Sequence, residues 1–307
     1  MHTSLRQTMK DWMLPISMMG GIVFYQWMHY LTFLSPYLIF VMLTITYCRI
    51  QPRDFRIGRF QWYLLAAQML IAAVFYFSFL GFSHTVATGV FICVFVPTAT
   101  AAPVITGMLG GSITRVATYS LVCNLTVAVF GPLILAAIGN HPEMTFLQSF
   151  YKICLSVLPL LVLPIVTAMV LRYTCRPVHD YMAHNQSFSF YMWALALFIV
   201  VGSSVSFIVN HFSIGDMPTI IGMLLGSLAA CAVQFLIGRK VGARFGDKVT
   251  GGQCLGQKNT VLAIWLALTY LNQLASVAPA AYVAWHNIAN SWQLIHYHRR
   301  HKKKVES

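Results

Sequence analysis

Residues 251–263 read Gly-Gly-Gln-Cys-Leu-Gly-Gln-Lys-Asn-Thr-Val-Leu-Ala and place three glycines, a lysine and an asparagine in an apolar region. A charge at the centre of a bilayer costs roughly 2.5–3.5 kcal/mol on insertion scales. Irregular backbone at that depth is tolerated only where protein or a water-filled cavity covers it. We therefore expect Lys258 to face the protein interior, on a helix that is interrupted near Gly256 and resumes in the apolar run from Val261 to Leu271.

A second interrupted segment lies earlier in the chain, at Pro97-Thr-Ala-Thr-Ala-Ala-Pro103. Its two prolines and small residues break an otherwise apolar stretch. Paired interruptions at corresponding positions of two halves are typical of the binding site of a secondary transporter. The two segments therefore predict a binding site in the middle of the membrane.

The composition of the 307-residue chain agrees with this interpretation. Hydrophobic residues make up 58% and charged residues only 9%, and the mean hydropathy is +0.70. These values exceed those of ordinary soluble domains and predict an integral membrane protein. The net charge of +13 does not indicate nucleic-acid binding, because the basic residues lie in short loops and in the C-terminal tail. The seven cysteines form no C-x-x-C pair or His/Cys cluster, so neither a metal site nor a cofactor is expected.

The hydropathy pattern predicts the number of spans and their orientation, since a helix needs about 20 apolar residues to cross a hydrocarbon core of about 30 Å. Ten segments are candidates: 12–31, 34–48, 60–81, 85–109, 114–138, 150–171, 187–210, 217–238, 249–271 and 274–296. With the N-terminus in the cytoplasm, 18 of the 20 lysines and arginines fall on the cytoplasmic side, and the exceptions are Lys152 and Lys258. The positive-inside rule therefore predicts ten spans with both termini cytoplasmic.

Ten spans divide into two sets of five, and an odd number of crossings makes the second set enter the membrane from the opposite side. The interrupted segments then occupy the fourth span of each set. The predicted fold is an all-α integral membrane protein of ten transmembrane helices, arranged as two inverted five-helix repeats with discontinuous fourth and ninth helices.

Three motifs carry a resemblance to a known family. Residues 97–111, PTATAAPVITGMLGG, contain a proline, an Ala-Thr step and a following Gly-Gly. Residues 252–263 match a glycine-rich stretch that ends in Gln-Asn, and residues 285–287 read Trp-His-Asn. In this order, and with the ten-span count, the chain resembles the bile acid:sodium symporter family, in the form found in the bacterial inner membrane.

The resemblance implies a fold in two parts. Spans one, two, six and seven form a panel, and the others form a core in which the fourth and ninth spans unwind and cross. The corresponding division assigns panel helices to 1–59 and 141–212, core helices to 60–140 and 213–298, and a basic cytoplasmic tail to 299–307. The implied function is secondary transport of an organic anion, either bile-acid-like or a smaller carboxylate, by alternating access.

The same resemblance assigns site residues. The substrate-binding candidates are Thr100, Lys258, Asn259, His286 and Asn287. The positions that correspond to the family's ion sites are Gln68, Ala102, Pro103, Asn124, Thr126, Cys254 and Lys258.

Several of these positions differ from the family pattern. Cys254 stands where the family has an acidic residue, Lys258 replaces a glutamine, and Ala102 and Pro103 replace a small polar pair. Sodium requires oxygen ligands, and a lysine beside them would repel the ion. We therefore expect transport that does not depend on sodium, with Lys258 in place of the coupling cation. A proton carried by this lysine is an alternative coupling partner.

Other interpretations remain open at this point. Lys258 is also compatible with snorkelling or with neutralising a helix C-terminus, and Asn259 with capping the resumed helix. The chain has no intramembrane carboxylate pair or activated nucleophile, so an enzyme is not expected. A passive channel or facilitator, or a membrane sensor, on the same fold is the alternative function. The basic tail is expected to contact anionic lipid.

Overall fold

A computed structural model describes residues 5–49, 56–139, 144–211 and 213–305, and within these ranges the chain is helical and forms no β-strand. The first half contains α1 (Leu5–Val23), α2 (Tyr25–Leu31), α3 (Ser35–Cys48), α4 (Arg59–Leu80), α5 (His84–Phe95), α6 (Ala102–Met108) and α7 (Ile113–Ile138). The second half contains α8 (Phe146–Thr174), α9 (Arg176–His184), α10 (Gln186–His211), α11 (Met217–Ala243), α12 (Lys248–Gly256), α13 (Thr260–Tyr270) and α14 (Val277–Val305).

Helices occur at all ten predicted segments, and both predicted interruptions are confirmed. The first separates α5 from α6, and the second separates α12 from α13. The short helix α9 was not predicted, because it is polar and lacks an apolar run. Arg53, the proposed junctions at 140–143 and 212, and the last two residues lie outside the described residues. Of the basic tail, only the helical backbone up to Val305 is described.

Five described helices are long and apolar enough to cross a membrane, which indicates an integral membrane protein. They comprise residues Arg59–Leu80, Ile113–Ile138, Phe146–Thr174, Tyr191–Asn210 and Ile214–Ala243. Large apolar side chains project outward from such helices, among them Leu70 and Phe77 of α4. Exposure of this kind suits contact with lipid rather than with water.

The helices adjoining the two interruptions are too short to span the hydrocarbon core alone. Helix α5 has 12 residues and α13 has 11, which gives each a length of about 17–18 Å at 1.5 Å per residue. Both are nearly enclosed by protein, and so is α12. The interruptions therefore lie in the interior, where other elements can satisfy their backbone groups.

Side-chain caps set where these short helices begin. Helix α5 starts after Ser83, whose Oγ accepts from the amide of Val86. Helix α12 starts after Asp247, whose Oδ1 accepts from the amide of Thr250 at 3.0 Å. The amide of Ser112, the N-cap residue of α7, donates to Thr250 Oγ1 at 2.8 Å. This bond fixes the start of α12 against the start of α7.

The helices pack in two groups. Helices α1, α2, α3, α8 and α10 contact one another, as do α4 to α7 together with α11 to α14. The groups meet where α7 packs on α8, and where α13 packs on α3 and α10. One broken helix thus lies at the boundary between the groups.

Glycines allow α12 to approach α11 at backbone distance. A Cβ added to Gly251 would meet the carbonyl oxygen of Gly238 and would lie 2.7 Å from the Cα of Gly242. Small residues at such contacts let helices pack closely in membranes. This contact holds the first half of the second broken helix rigidly against its neighbour.

Candidate functional site

The two interrupted segments lie against each other and pair through their backbones. Thr98 and Lys258 form an isolated antiparallel bridge. The amide of Ala99 donates to the carbonyl of Gln257 at 2.9 Å, and the amide of Asn259 donates to the carbonyl of Pro97 at 2.9 Å. Each interruption therefore supplies the hydrogen-bond partners that the other lost when its helix broke.

The C-terminal end of α5 receives donors from two side chains. Gln68 Nε2 donates to the carbonyl of Phe95 at 2.9 Å and to that of Val96 at 3.3 Å. Lys258 Nζ donates to the same Val96 carbonyl at 3.1 Å. A helix C-terminus carries a partial negative charge, so an ammonium group there is stabilised.

Gln68 is itself held in place by α7. Its Oε1 accepts from the hydroxyl of Tyr119 at 2.6 Å, and its amide nitrogen lies 3.3 Å from Cys123 Sγ. These bonds orient the amide group, so that its nitrogen points at the end of α5. Gln68 therefore joins α4, α7 and the first interruption.

The C-terminal end of α12 is capped by hydroxyl groups. Thr98 Oγ1 donates to the carbonyl of Cys254 at 2.7 Å, and the hydroxyl of Tyr282 donates to the carbonyl of Gly256 at 2.9 Å. Gln234 Nε2 donates to the Tyr282 hydroxyl at 2.8 Å. Two carbonyl groups at this helix end are thus bonded to the first interruption and to α14, and Gln234 of α11 holds the Tyr282 hydroxyl.

Lys258 lies in the interior, as the sequence predicted. Only 1% of its surface is exposed, so its side chain does not snorkel to an interface. Among the described residues no carboxylate forms an ion pair with it. Its Nζ neutralises the C-terminus of α5, which was one of the roles left open by the sequence.

Asn259 caps the second half of its broken helix. Its Oδ1 accepts from the amide of Leu262 at 3.2 Å and so starts α13. Its Nδ2 is buried and has no hydrogen-bond partner among the described residues. Capping uses only the oxygen, and the nitrogen remains able to donate to a bound solute.

The other predicted substrate residues lie on two separate elements. Thr100 is half-buried in the turn before α6. His286 is buried on α14, packs edge-to-face on Tyr282 with ring centroids 5.6 Å apart, and leaves Nδ1 without a partner among the described residues. Asn287 Nδ2 donates to the carbonyl of Val283 in its own helix. No hydrogen bond within the described ranges joins these three residues to Lys258.

The predicted ion-site positions also differ in their contacts with the two interrupted segments. Gln68 and Lys258 share the Val96 carbonyl, and Cys254 receives the Thr98 bond through its backbone. Ala102 and Pro103 are buried in the first turn of α6.

Asn124 and Thr126 lie on α7 and bond to their own helix. Asn124 Nδ2 donates to the carbonyl of Ser120, and Thr126 Oγ1 donates to that of Val122. Neither side chain has a hydrogen bond to an interrupted segment within the described residues. Asn124 Oδ1 is buried and unpartnered there.

The sequence interpretation missed several residues of the crossing, namely Thr98, Tyr119, Gln234, Gln253 and Tyr282. A signal existed for Gln234, because it is an isolated amide in an apolar helix, as Gln68 is. Gln253 Nε2 donates to Asn290 Oδ1 at 3.0 Å and ties α12 to α14. The tyrosines gave no such signal, since aromatic residues make up 14% of the chain.

The geometry produces a buried polar crossing that contains Lys258. Comparison of the chain with protein-family models finds no match, and comparison with curated proteins finds no significant match.

Proposed function

We propose that this protein is a secondary transporter of an organic anion, built as ten spans in two inverted repeats. The observation that carries the proposal is the pairing of two broken helices in the interior with a buried lysine at the point where they meet. Broken helices of this kind form substrate sites in secondary transporters. The resemblance to the bile acid:sodium symporter family supports the same function.

The packing of the helices supports a panel and a core that move against each other. The first group of helices corresponds to the proposed panel, 1–59 and 141–212. The second corresponds to the proposed core, 60–140 and 213–298. In this arrangement α5 with α6 forms the fourth span, and α12 with α13 forms the ninth. Alternating access then requires a change in the contacts between the two groups, which are those of α7 with α8 and those of α13 with α3 and α10.

The charge of the crossing favours an anionic substrate. Lys258 supplies a positive charge, and the N-terminus of α13 adds a partial positive charge. Asn259 Nδ2 and His286 Nδ1 are buried polar atoms without partners among the described residues, and such atoms are normally satisfied in a functional state. We assign the carboxylate of the substrate to this region, with Thr100 and Asn287 at its edge.

The use of the carbonyl oxygens supports the proposal of sodium independence. In the crossing, Lys258 Nζ and Gln68 occupy the Val96 carbonyl, and the Asn259 amide occupies the Pro97 carbonyl. A hard cation needs several free oxygen ligands. Lys258 therefore serves as a tethered cation, and coupling to a proton through this residue is the mechanism we favour.

Uptake by proteoliposomes tests the proposal. Proteoliposomes that contain the purified protein should accumulate a labelled carboxylate, and the carboxylates tested include a bile acid and small keto acids. Replacing sodium by potassium at constant membrane potential should leave the rate of uptake nearly unchanged. Lys258→Gln should abolish accumulation, whereas Lys152→Gln, which alters an exposed lysine of α8, should not. Steep sodium dependence would contradict the assigned role of Lys258, and no uptake of any anion would contradict the transport function.

A passive facilitator is the second candidate, because the altered ion-site positions remove the usual source of coupling. Accumulation against a gradient separates the two functions. A facilitator brings the anion only to electrochemical equilibrium, so at zero membrane potential it equalises the two concentrations and does not accumulate the substrate.

We further propose an inner-membrane location with both termini in the cytoplasm, supported by the distribution of lysine and arginine along the chain. The basic tail at 299–307 would then meet anionic lipid on the cytoplasmic leaflet. A reporter that is active only outside the cytoplasm can be fused to either terminus. Activity of either fusion would contradict this orientation.

A further inference from the structure

A basic cleft lies away from the crossing, between the C-terminal ends of α3 and α8 and the short helix α9. Its volume is about 740 Å³, which lies within the range of about 300–1,000 Å³ found for ligand sites. The arginine, histidine and aspartate residues that line it are Arg49, Arg172, Arg176, His179, Asp180 and His184. The cleft is therefore large enough for a small ligand and polar enough to exclude an apolar one.

Asp180 offsets only part of the positive charge. Its Oδ1 lies 3.0 Å from His179 Nδ1, and its Oδ2 lies 3.9 Å from Arg176 Nε. The hydrogen bond from His179 lowers the pKa of the Asp180 carboxyl group, so this group stays ionised at neutral pH. With both histidines neutral, three arginines and one aspartate leave a charge of 3 − 1 = +2 in the cleft.

Of the three arginines of the cleft, Arg49 and Arg172 have no carboxylate partner among the described residues. Arg49 follows the last residue of α3, and Arg172 lies in the last turn of α8. Part of their role is to offset the helix C-termini, each of which carries about half a negative charge. Each guanidinium carries a full charge, so a positive excess remains at the cleft.

We propose that this cleft binds a phosphate group, held by Arg49 and Arg172. Arginine matches phosphate because its planar guanidinium donates two parallel hydrogen bonds to two oxygens. The neutral or positive neighbours His179 and His184 allow an anion to approach, and Asp180 is already engaged. The site is separate from the proposed transport site and does not depend on it.

Two sources carry this phosphate. Helix α8 is one of the five helices long enough to span a membrane, so its end lies at the depth of lipid headgroups and a phospholipid reaches the cleft from the side. A soluble phosphate ester reaches the same arginines from the aqueous phase. The ligand chemistry is the same in both cases.

Binding to full-length protein in nanodiscs tests the proposal with two arms. In the first arm, phosphatidylglycerol in a phosphatidylcholine background is the probe, and bound lipid is counted by native mass spectrometry. In the second arm, glycerol 1-phosphate is titrated into protein held in pure phosphatidylcholine. The variant Arg49→Gln/Arg172→Gln should raise the Kd at least about tenfold in the arm that represents the true source.

The matched control is Lys240→Gln/Arg244→Gln, which removes two exposed charges from the C-terminal end of another long helix, α11. It should bind as the wild type does. Loss in the lipid arm alone identifies a headgroup site, and loss in the soluble arm alone identifies a phosphate-ester site. Equal loss in the control, or no binding in either arm, overturns the proposal.

A measurement on the unaltered protein covers the case in which the variant does not fold. Phenylglyoxal modifies accessible arginines, and the modified positions are read by peptide mass spectrometry. The bound probe should slow modification of Arg49 and Arg172 and leave Arg244 unchanged. If neither probe changes the rate of modification at Arg49, Arg172 or Arg244, the proposal is overturned.

Discussion

The two interruptions meet at one crossing but differ in the donors that they supply. The first, between α5 and α6, carries no charge, whereas the second, between α12 and α13, carries Lys258. Each closes the helix end of the other, since Lys258 Nζ bonds to the Val96 carbonyl and Thr98 Oγ1 bonds to the Cys254 carbonyl. The end of α5 thus receives a charged donor and the end of α12 a neutral one. A single lysine thus caps the end of α5 at the point where the two broken helices meet.

Burial also separates the two segments. All three residues of the second, 257–259, are buried, while Thr100 is half-buried and Ala101 exposed in the first. Glycine contacts hold α12 against α11. We therefore expect the second broken helix to be the fixed side of the crossing, whereas the first is open to its surroundings at Thr100 and Ala101. The following predictions, in decreasing order of effect, test this asymmetry.

The largest effect should come from Gly251→Ala, which disturbs the fixed side. The added Cβ would meet the carbonyl oxygen of Gly238 and would lie 2.7 Å from the Cα of Gly242. Backbone atoms cannot rotate away, so the loss of stability should be near the upper end of the usual overpacking range, about 3 kcal/mol. The apparent melting temperature in detergent and the monodisperse fraction on size-exclusion chromatography measure it.

Gly81→Ala is the control for this substitution. Nothing lies within 4 Å of a Cβ at Gly81, and its backbone angles suit any residue. This variant should melt close to the wild type. If both variants melt alike, the close packing of α11 on α12 does not fix the second broken helix.

The next effect should come from Lys258→Met, which removes the charged donor at the end of α5. The Val96 carbonyl would keep only its longer bond, from Gln68 at 3.3 Å. Hydrogen bonds to charged groups contribute about 1.5–3 kcal/mol, so we expect a loss of stability in this range. Melting temperatures should show it, with Lys152→Met on an exposed lysine as the unaffected control. A variant of unchanged or higher stability would show that burying the charge outweighs the cap.

The sequence was sufficient to predict the apolar helical segments and both interruptions, because apolar runs, glycine, proline and a lone lysine are local signals. It did not predict the polar helix α9 or the break between α1 and α2. It also predicted that Lys258 faces inward, since the alternatives are unfavourable in lipid. It did not predict which atoms the lysine contacts. The bond to Val96 joins residues 162 positions apart, and such contacts depend on packing rather than on local pattern.

The unpredicted cap at Thr98 shows the same limit. Thr98 lies in the same motif as Thr100, but the resemblance assigned only Thr100 to the substrate. Its partner is a main-chain oxygen of Cys254, 156 positions away. Every residue has a backbone carbonyl group, so the sequence does not indicate which carbonyl accepts a side-chain hydrogen bond. The sequence did not predict the basic cleft either, because the positions of Arg49 and Arg172 in the sequence indicate only the orientation of the chain in the membrane.

The smallest effect should come from Thr98→Val, which replaces the hydroxyl by a methyl group of similar size and leaves the Cys254 carbonyl without its neutral donor. A neutral hydrogen bond contributes about 1 kcal/mol net, so the loss should be near this value and below that of Lys258→Met. Thr126→Val is the matched control, because Thr126 Oγ1 bonds only to the Val122 carbonyl of its own helix among the described residues. Melting curves of the four proteins, wild type included, rank the two caps. If Thr98→Val destabilises as much as Lys258→Met, charge does not distinguish the two helix ends, and Lys258 closes the end of α5 as an ordinary hydrogen-bond donor.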